Sequence, residues 1–157
     1  MIIHQAGCQA EGDYKIGVVT ARFNNPVTEK LEKGALDQLT AHGVSEDKIV
    51  AVRVPGAVEI PLAAQKLFDM GCDGVVTIGA VIRGDTAHFD YVCNSVERGC
   101  SELQLQYKKP VGFGVITTEN AEQAYARCGG EKGNKGAEAA EVVIEMLNLM
   151  RKLTQTP

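Results

Sequence analysis

The densest run of chemically active side chains lies at positions 83–90, where Arg83, Gly84, Asp85, Thr86, His88 and Asp90 follow one another closely. His88 is the group among them that exchanges a proton near neutral pH, so proton transfer is the chemistry it suits. Amides around Gly84 and Thr86, at the start of a helix, offer unpaired N–H donors and a partial positive charge, which suits an anion. The residues just before them, Val75-Val76-Thr77-Ile78-Gly79-Ala80-Val81-Ile82, form an unbroken apolar run. That is the pattern of a strand buried on both faces of a parallel sheet. Open α/β sheets place their ligands where such a strand meets a polar turn and a helix. The competing view of His88 is a helix cap or a partner for Asp90, and its place at a strand end favours the site. His4 and His42 have no such context and are read as structural.

Several elements must position that turn. Residues 15–20, 49–54 and 111–117 are further apolar, β-rich runs. Between them, Asn25 is predicted to cap a first helix and Pro26 to be its first residue. Val27, Leu31, Ala35 and Leu39 repeat at helical spacing, Glu29 and Lys33 form an i,i+4 pair, and Gly43 closes the helix. Pro61 is tolerated only in a first turn, so a second helix starts near residue 58 and runs to Met70, with Gly71 as its stop. Val92, Val96, Cys100, Leu103 and Tyr107 mark a third helix of about four turns. A short helix over 121–127, a loop over 128–136 and a last helix over 137–153 complete the chain. The last helix has a narrow polar stripe of Glu138, Glu141, Glu145, Asn148 and Lys152, and its apolar remainder predicts burial against a partner subunit. Residues 1–13 show no period and are an N-terminal arm or an edge strand.

Alternating strands and helices with short links predict one α/β domain over 1–157, a three-layer α/β/α sandwich around a four-stranded parallel sheet. Parallel strands bring their following turns to one edge. The turns at 22–24, 56–59, 80–88 and after Thr117 are therefore predicted to converge.

Composition excludes several classes of function. A net charge of −4 without a basic block argues against a nucleic-acid surface. No apolar run reaches membrane-spanning length, and the N-terminus lacks a signal pattern. Five cysteines without a C-x-x-C pair point to a reducing cytoplasm, with no metal site and idle thiols. Gly79 and Gly84 have the glycine spacing of a phosphate loop, but Asp85-Thr86 stands where Lys-Ser/Thr is required. Gly112-Phe113-Gly114 lacks the third glycine of a dinucleotide fingerprint. Arg22, Arg83 and Arg127 are the cations available to an anionic ligand. Phe23, a lone aromatic in a polar turn, can staple the helix or stack on a flat heterocycle. Phe113, within a strand, is by default a core residue, and Glu59 sits at a helix start, where the dipole stabilises it.

Five collinear stretches together resemble one family, 6,7-dimethyl-8-ribityllumazine synthase. They are Arg22-Phe23-Asn24, Val54-Pro55-Gly56-Ala57-Val58-Glu59-Ile60-Pro61, residues 79–92, Phe113-Gly114-Val115-Ile116-Thr117 and Gly133-Asn134-Lys135-Gly136-Ala137-Glu138-Ala139-Ala140. The resemblance implies a flavodoxin-like sheet and the joining of 5-amino-6-(D-ribitylamino)uracil to 3,4-dihydroxy-2-butanone 4-phosphate. That reaction releases phosphate and water and needs no metal or redox cofactor. By the same resemblance, Phe23 stacks on the pyrimidine, while Ala57, Val58 and Glu59 hold the ribityl chain and ring edge. Ala80, Val81 and Ile82 line the pyrimidine pocket, and the amides of Asp85 and Thr86, with Arg127 from across an interface, bind phosphate. His88 moves protons, Phe113 belongs to the adjoining subunit's wall, and Lys135 and Glu138 support. Also implied are a homo-oligomer built from pentamers and a functional link to riboflavin synthase. Pentamer, decamer and icosahedral shell stay open, although the 128–136 loop has no long insertion that blocks shell packing. A flavin- or lumazine-binding module without catalysis and a purely shell-forming protein are the readings of other classes.

Overall fold

β3 (Gly74–Ile82) runs through the middle of the sheet, and all but its last residue are buried. In the computed structural model, which describes residues 1–155, it pairs in parallel with β1 (Ile16–Ala21) on one side and β4 (Val111–Thr118) on the other. β2 (Ile49–Val54) pairs with the outer side of β1, giving the order β2-β1-β3-β4, all parallel. Successive side chains of a strand point to opposite faces. Ile16, Val18, Val76, Ile78 and Ala80 accordingly join one core, and Val19, Ala21, Val75 and Val81 the other. The first core is closed by α1 (Asn25–Ala41) and α5 (Lys135–Thr154), through Leu31, Leu39, Val143 and Ile144. The second is closed by α2 (Ile60–Asp69) and α3 (His88–Tyr107), through Ile60, Leu67, Val96 and Leu103. Each fully buried aliphatic side chain contributes about 1.5–3 kcal/mol, so the two cores carry most of the stabilisation. The result is the predicted three-layer, flavodoxin-like α/β/α arrangement. No helix among the described residues is long and apolar enough to cross a membrane.

Several elements differ from expectation, each for a local reason. The cap of α1 is Asn24 rather than Asn25, and its side chain caps nothing because it is bonded elsewhere. The i,i+4 ion pair that forms is Lys33–Asp37. α2 opens as a 3₁₀ turn at Ala57–Glu59, with Pro61 in the first turn of the α-helix proper. α3 has 20 residues and begins at His88, well before the first apolar residue of its periodic pattern. α4 is Ala121–Ala126 and leaves Arg127 as its C-cap. The glycine-rich loop contains a short antiparallel hairpin of β5 (Cys128–Gly130) and β6 (Gly133–Asn134), with positive φ at Gly129 and Gly133. α5 then starts at Lys135, capped by the Asn134 carboxamide, which accepts from Ala137 N at 3.0 Å.

One member of the polar stripe of α5, Asn148, faces inward, while Glu138, Glu145 and Lys152 are exposed. Asn148 is fully buried and accepts from Tyr14 Oη at 2.7 Å and from Glu11 N at 3.1 Å. It donates to the carbonyls of Gly7 and Gln9 at 2.9 and 2.7 Å. Lys152 Nζ reaches the Gln5 carbonyl at 3.0 Å. The N-terminal residues are thus an arm strapped along α5, and they form no strand in the described structure.

At Gly136 α5 packs directly on the backbone of α1, where a Cβ would stand 2.1 Å from the Leu31 carbonyl oxygen. An exposed helical glycine gains about 1 kcal/mol of stability on replacement by alanine. In Gly136→Ala the clash is with backbone and outweighs that gain, so a net loss of about 1–3 kcal/mol is expected. Urea unfolding at fixed protein concentration checks the sign, and a more stable variant would show that the two helices separate freely.

Candidate functional site

The turn after β1 is fastened to the turn after β2. Arg22 N donates to the Val54 carbonyl at 2.8 Å, and Phe23 N to the Pro55 carbonyl at 3.0 Å. Asn24 then adopts the left-handed conformation (φ 63°, ψ 43°), which asparagine tolerates better than most residues. Its Nδ2 donates to the Ala80 carbonyl at 2.8 Å, tying this turn to the end of β3. The Phe23 ring lies against Gly56, where an added Cβ would come within 2.6 Å of it. Phe23 as a residue stays 69% exposed, held in place but not covered. Glu59 turns its carboxylate back to accept from Gly56 N at 3.0 Å, which shapes the start of the next helix.

At the end of β3, Ala80 and Val81 are buried and Ile82 half-buried, whereas Gly84, Asp85, Thr86 and His88 are exposed. Thr86 Oγ1 accepts from His88 N at 3.3 Å, which sets the first residue of α3. The Asp85 and Thr86 amides donate to no other described residue. Arg83 is engaged elsewhere. Its Nε donates to Glu119 at 2.6 Å, its Nη2 lies 3.6 Å from Asp90, and its guanidinium sits 4.4 Å from the Phe89 ring centroid. The bond to Glu119, with Asp90 adding to it, raises the Arg83 pKa further and keeps the group charged and occupied.

These segments enclose one cavity of about 580 Å³, within the range common for small-molecule sites. Phe23, Ala57, Val58, Glu59, Ala80, Val81, Ile82, Thr86 and His88 all line it. Asp85 does not, although its neighbours Gly84 and Thr86 do. Three of the four predicted turns therefore meet there. The fourth, after β4, reaches only as far as Arg83, through Glu119 and a bond from Arg83 N to the Thr118 carbonyl at 2.9 Å.

The remaining predicted residues gather on another face. Phe113, Arg127, Lys135 and Glu138 line a second concavity of about 610 Å³ along β4 and α5, which shares no residue with the first. Phe113 is 43% exposed, so the default expectation of a core residue does not hold. β4 is an edge strand, and Phe113 lies on its partly open face. Arg127 Nη1 donates to the Gln123 carbonyl at 2.9 Å, and Lys135 pairs with Glu138 at 3.2 Å. A single chain thus holds two separate groups of candidate residues.

Asn24, Phe89 and Val92 also line the first cavity and carried no predicted role. An asparagine directly after an exposed aromatic was a signal for the first. For Phe89, the signal was an aromatic immediately following His88.

A family model described as 6,7-dimethyl-8-ribityllumazine synthase matches residues 13–151. The chain is 59% identical over 142 residues to the 6,7-dimethyl-8-ribityllumazine synthase of Bdellovibrio bacteriovorus, which is 90% of this chain and 78% of that one. Against the proteins of that name from two strains of Coxiella burnetii, it is 48% identical over 147 residues, 93% of this chain and 97% of theirs. The matched region takes in both groups of candidate residues and all four strands of the main sheet, and the chain belongs to the 6,7-dimethyl-8-ribityllumazine synthase family.

Proposed function

We propose that this chain condenses 5-amino-6-(D-ribitylamino)uracil with 3,4-dihydroxy-2-butanone 4-phosphate to 6,7-dimethyl-8-ribityllumazine, releasing phosphate and water. The observation that supports it most is the division of candidate residues. One cavity combines an exposed aromatic, free amides and His88, while a second face of the same chain presents Phe113 and Arg127. Each active site then forms where the first face of one copy meets the second face of its neighbour. A head-to-tail contact of this kind closes into a ring when the rotation between neighbours closes. We take that ring to be a pentamer, in a cytoplasmic enzyme linked functionally to riboflavin synthase.

Within that site, Phe23 stacks on the pyrimidine, and residues 80–82 line its pocket. Ala57, Val58 and Glu59 hold the ribityl chain and ring edge. The Asp85 and Thr86 amides, at the positive end of α3, and Arg127 of the neighbour take the phosphate. Lys135 and Glu138 support that wall, to which Phe113 contributes its ring. The chemistry asks for little more. An amine attacks a ketone, water and phosphate leave, and the second nitrogen closes the ring, with protons moving at each step. Holding both substrates in register supplies several kcal/mol of barrier reduction. His88 carries the protons, and a general acid–base adds about 10²–10⁴-fold.

Two measurements test this. With both substrates, the protein is expected to produce lumazine fluorescence and phosphate at a rate above the spontaneous background. His88→Ala should slow that rate by about 10²–10⁴-fold without abolishing it. A folded, substrate-binding His88→Ala protein with no activity at all would contradict catalysis by orientation. The second concerns Asn24, which we assign as a positioning residue for Phe23. Asn24→Gly keeps the left-handed turn but loses the bond to Ala80, so KM for the pyrimidine should rise by about three- to tenfold. Thermal stability and kcat should change little. An unchanged KM would show that Phe23 is positioned without this bond.

A further inference from the structure

Arg83 and Glu119 line neither concavity, yet they meet beside the loop whose amides take the phosphate in the proposed reaction. Residues 84–87 join Arg83, directly after β3, to His88, the first residue of α3, and little in the chain supports them. A Cβ added at Gly84 would meet nothing within 4 Å. The Asp85 and Thr86 amides donate to no other described residue. The shape of this loop therefore depends on how its two ends are held relative to each other.

Arg83 bridges those ends. Its N–H prolongs the β3–β4 pairing, with a 2.9 Å bond to the Thr118 carbonyl. Its guanidinium reaches the first turn of α3, 4.4 Å from the Phe89 ring centroid and with Nη2 3.6 Å from Asp90. Phe89 follows His88 directly, packs half-buried against the second core and lines the first cavity. Attraction between a guanidinium and an aromatic ring requires the cation to be held over the ring face. Glu119 holds it there by accepting from Arg83 Nε at 2.6 Å. The backbone of Glu119 is fixed in turn. Its N–H donates to Gln123 Oε1 at 2.8 Å, and Gln123 N donates to the Asn120 side chain at 2.9 Å. The planar fork of arginine makes such an arrangement depend on orientation as well as on charge.

We propose that Arg83 and Glu119 are positioning residues for the phosphate-binding loop. Glu119 orients the Arg83 guanidinium, which clamps Phe89 and Asp90 at the start of α3 and so sets the Asp85 and Thr86 amides. Neither residue touches the substrate. The proposal rests on the lumazine synthase reading, in which those amides take the phosphate. It assigns a role to the turn after β4, which otherwise stops short of the cavity. It also fixes the sign of the Glu119 effect. As a charge alone, Glu119 repels a phosphate and occupies a nearby cation, so its removal would strengthen binding. As the residue that holds the clamp, its removal weakens binding.

The test compares Glu119→Ala, Glu119→Gln, Arg83→Lys and the double variant of Glu119→Ala and Arg83→Lys with the unmodified, assembled protein. Glu119→Ala and Arg83→Lys should each raise KM for the phosphorylated butanone, and the dissociation constant of inorganic phosphate, by about three- to tenfold. KM for the pyrimidine should stay unchanged, because that substrate rests on Phe23 and residues 80–82. Glu119→Gln keeps an oxygen that accepts from Nε and should restore most of the phosphate affinity. The double variant should be no weaker than the poorer single one, since the two residues act as a unit. Phosphate bound as well or better by Glu119→Ala overturns the proposal. A Glu119→Gln protein as weak as Glu119→Ala does the same, and so does an equal loss for both substrates, which would mark a merely structural role. An unmodified protein that binds phosphate but makes no lumazine overturns the underlying reading instead, and the phosphate titration separates that failure from a failed clamp.

Discussion

The burial of β3 on both faces is the constraint from which the other features follow. A strand with helices above and below it has no solvent along its length, so its backbone must pair with neighbours on both sides, and β1 and β4 supply them. Even its one buried hydroxyl is satisfied, with Thr77 Oγ1 donating to the Gly112 carbonyl at 2.8 Å. Polar chemistry is confined to the point where the strand runs out. There Ala80, Val81 and Ile82 give a rigid apolar floor, and the chain can turn, expose amides and start α3 with His88. The same strand end anchors the Phe23 turn through the Ala80 carbonyl, so the floor and that turn are tied together.

Exposure of Phe23 and Phe113 is the complementary feature. A large aromatic ring left in water forgoes the stabilisation its burial would bring, roughly 1.5–3 kcal/mol for a side chain of this kind. One chain carries such a ring on each of two faces, at the mouths of two different concavities. In the proposed assembly one face meets the other on a neighbouring copy, which would cover both rings and bring Arg127 to the exposed amides near Gly84. On that view, catalysis and assembly are the same contact.

Much of this was legible in the sequence because the physics involved is local or periodic. The six residues of β2 coincide with an apolar run, and convergence of three turns follows from parallel strands alone. Other features were not legible because they depend on partners distant in the chain. Asn148 sits at helical spacing with solvent-facing glutamates, but its partners are an arm without any period. Phe113 reads as core because a strand residue beside glycines normally is, and only the edge position of β4 exposes it. Arg83 looks available for an anion until Glu119, 36 residues further on, takes its guanidinium. Asn24 reads as part of a polar turn, and its bond to Ala80 spans 56 residues.

The most direct test of a site shared between copies is complementation between two defective chains. Phe23→Ala damages the first face and Arg127→Ala the second. Oligomers assembled from an equal mixture contain about one site in four where two intact faces meet, if neighbours contact head to tail. Lumazine formation by the mixture should therefore recover towards about a quarter of the unmodified protein's rate. A rate no higher than the mean of the two variants assembled separately would mean that each chain completes its own site.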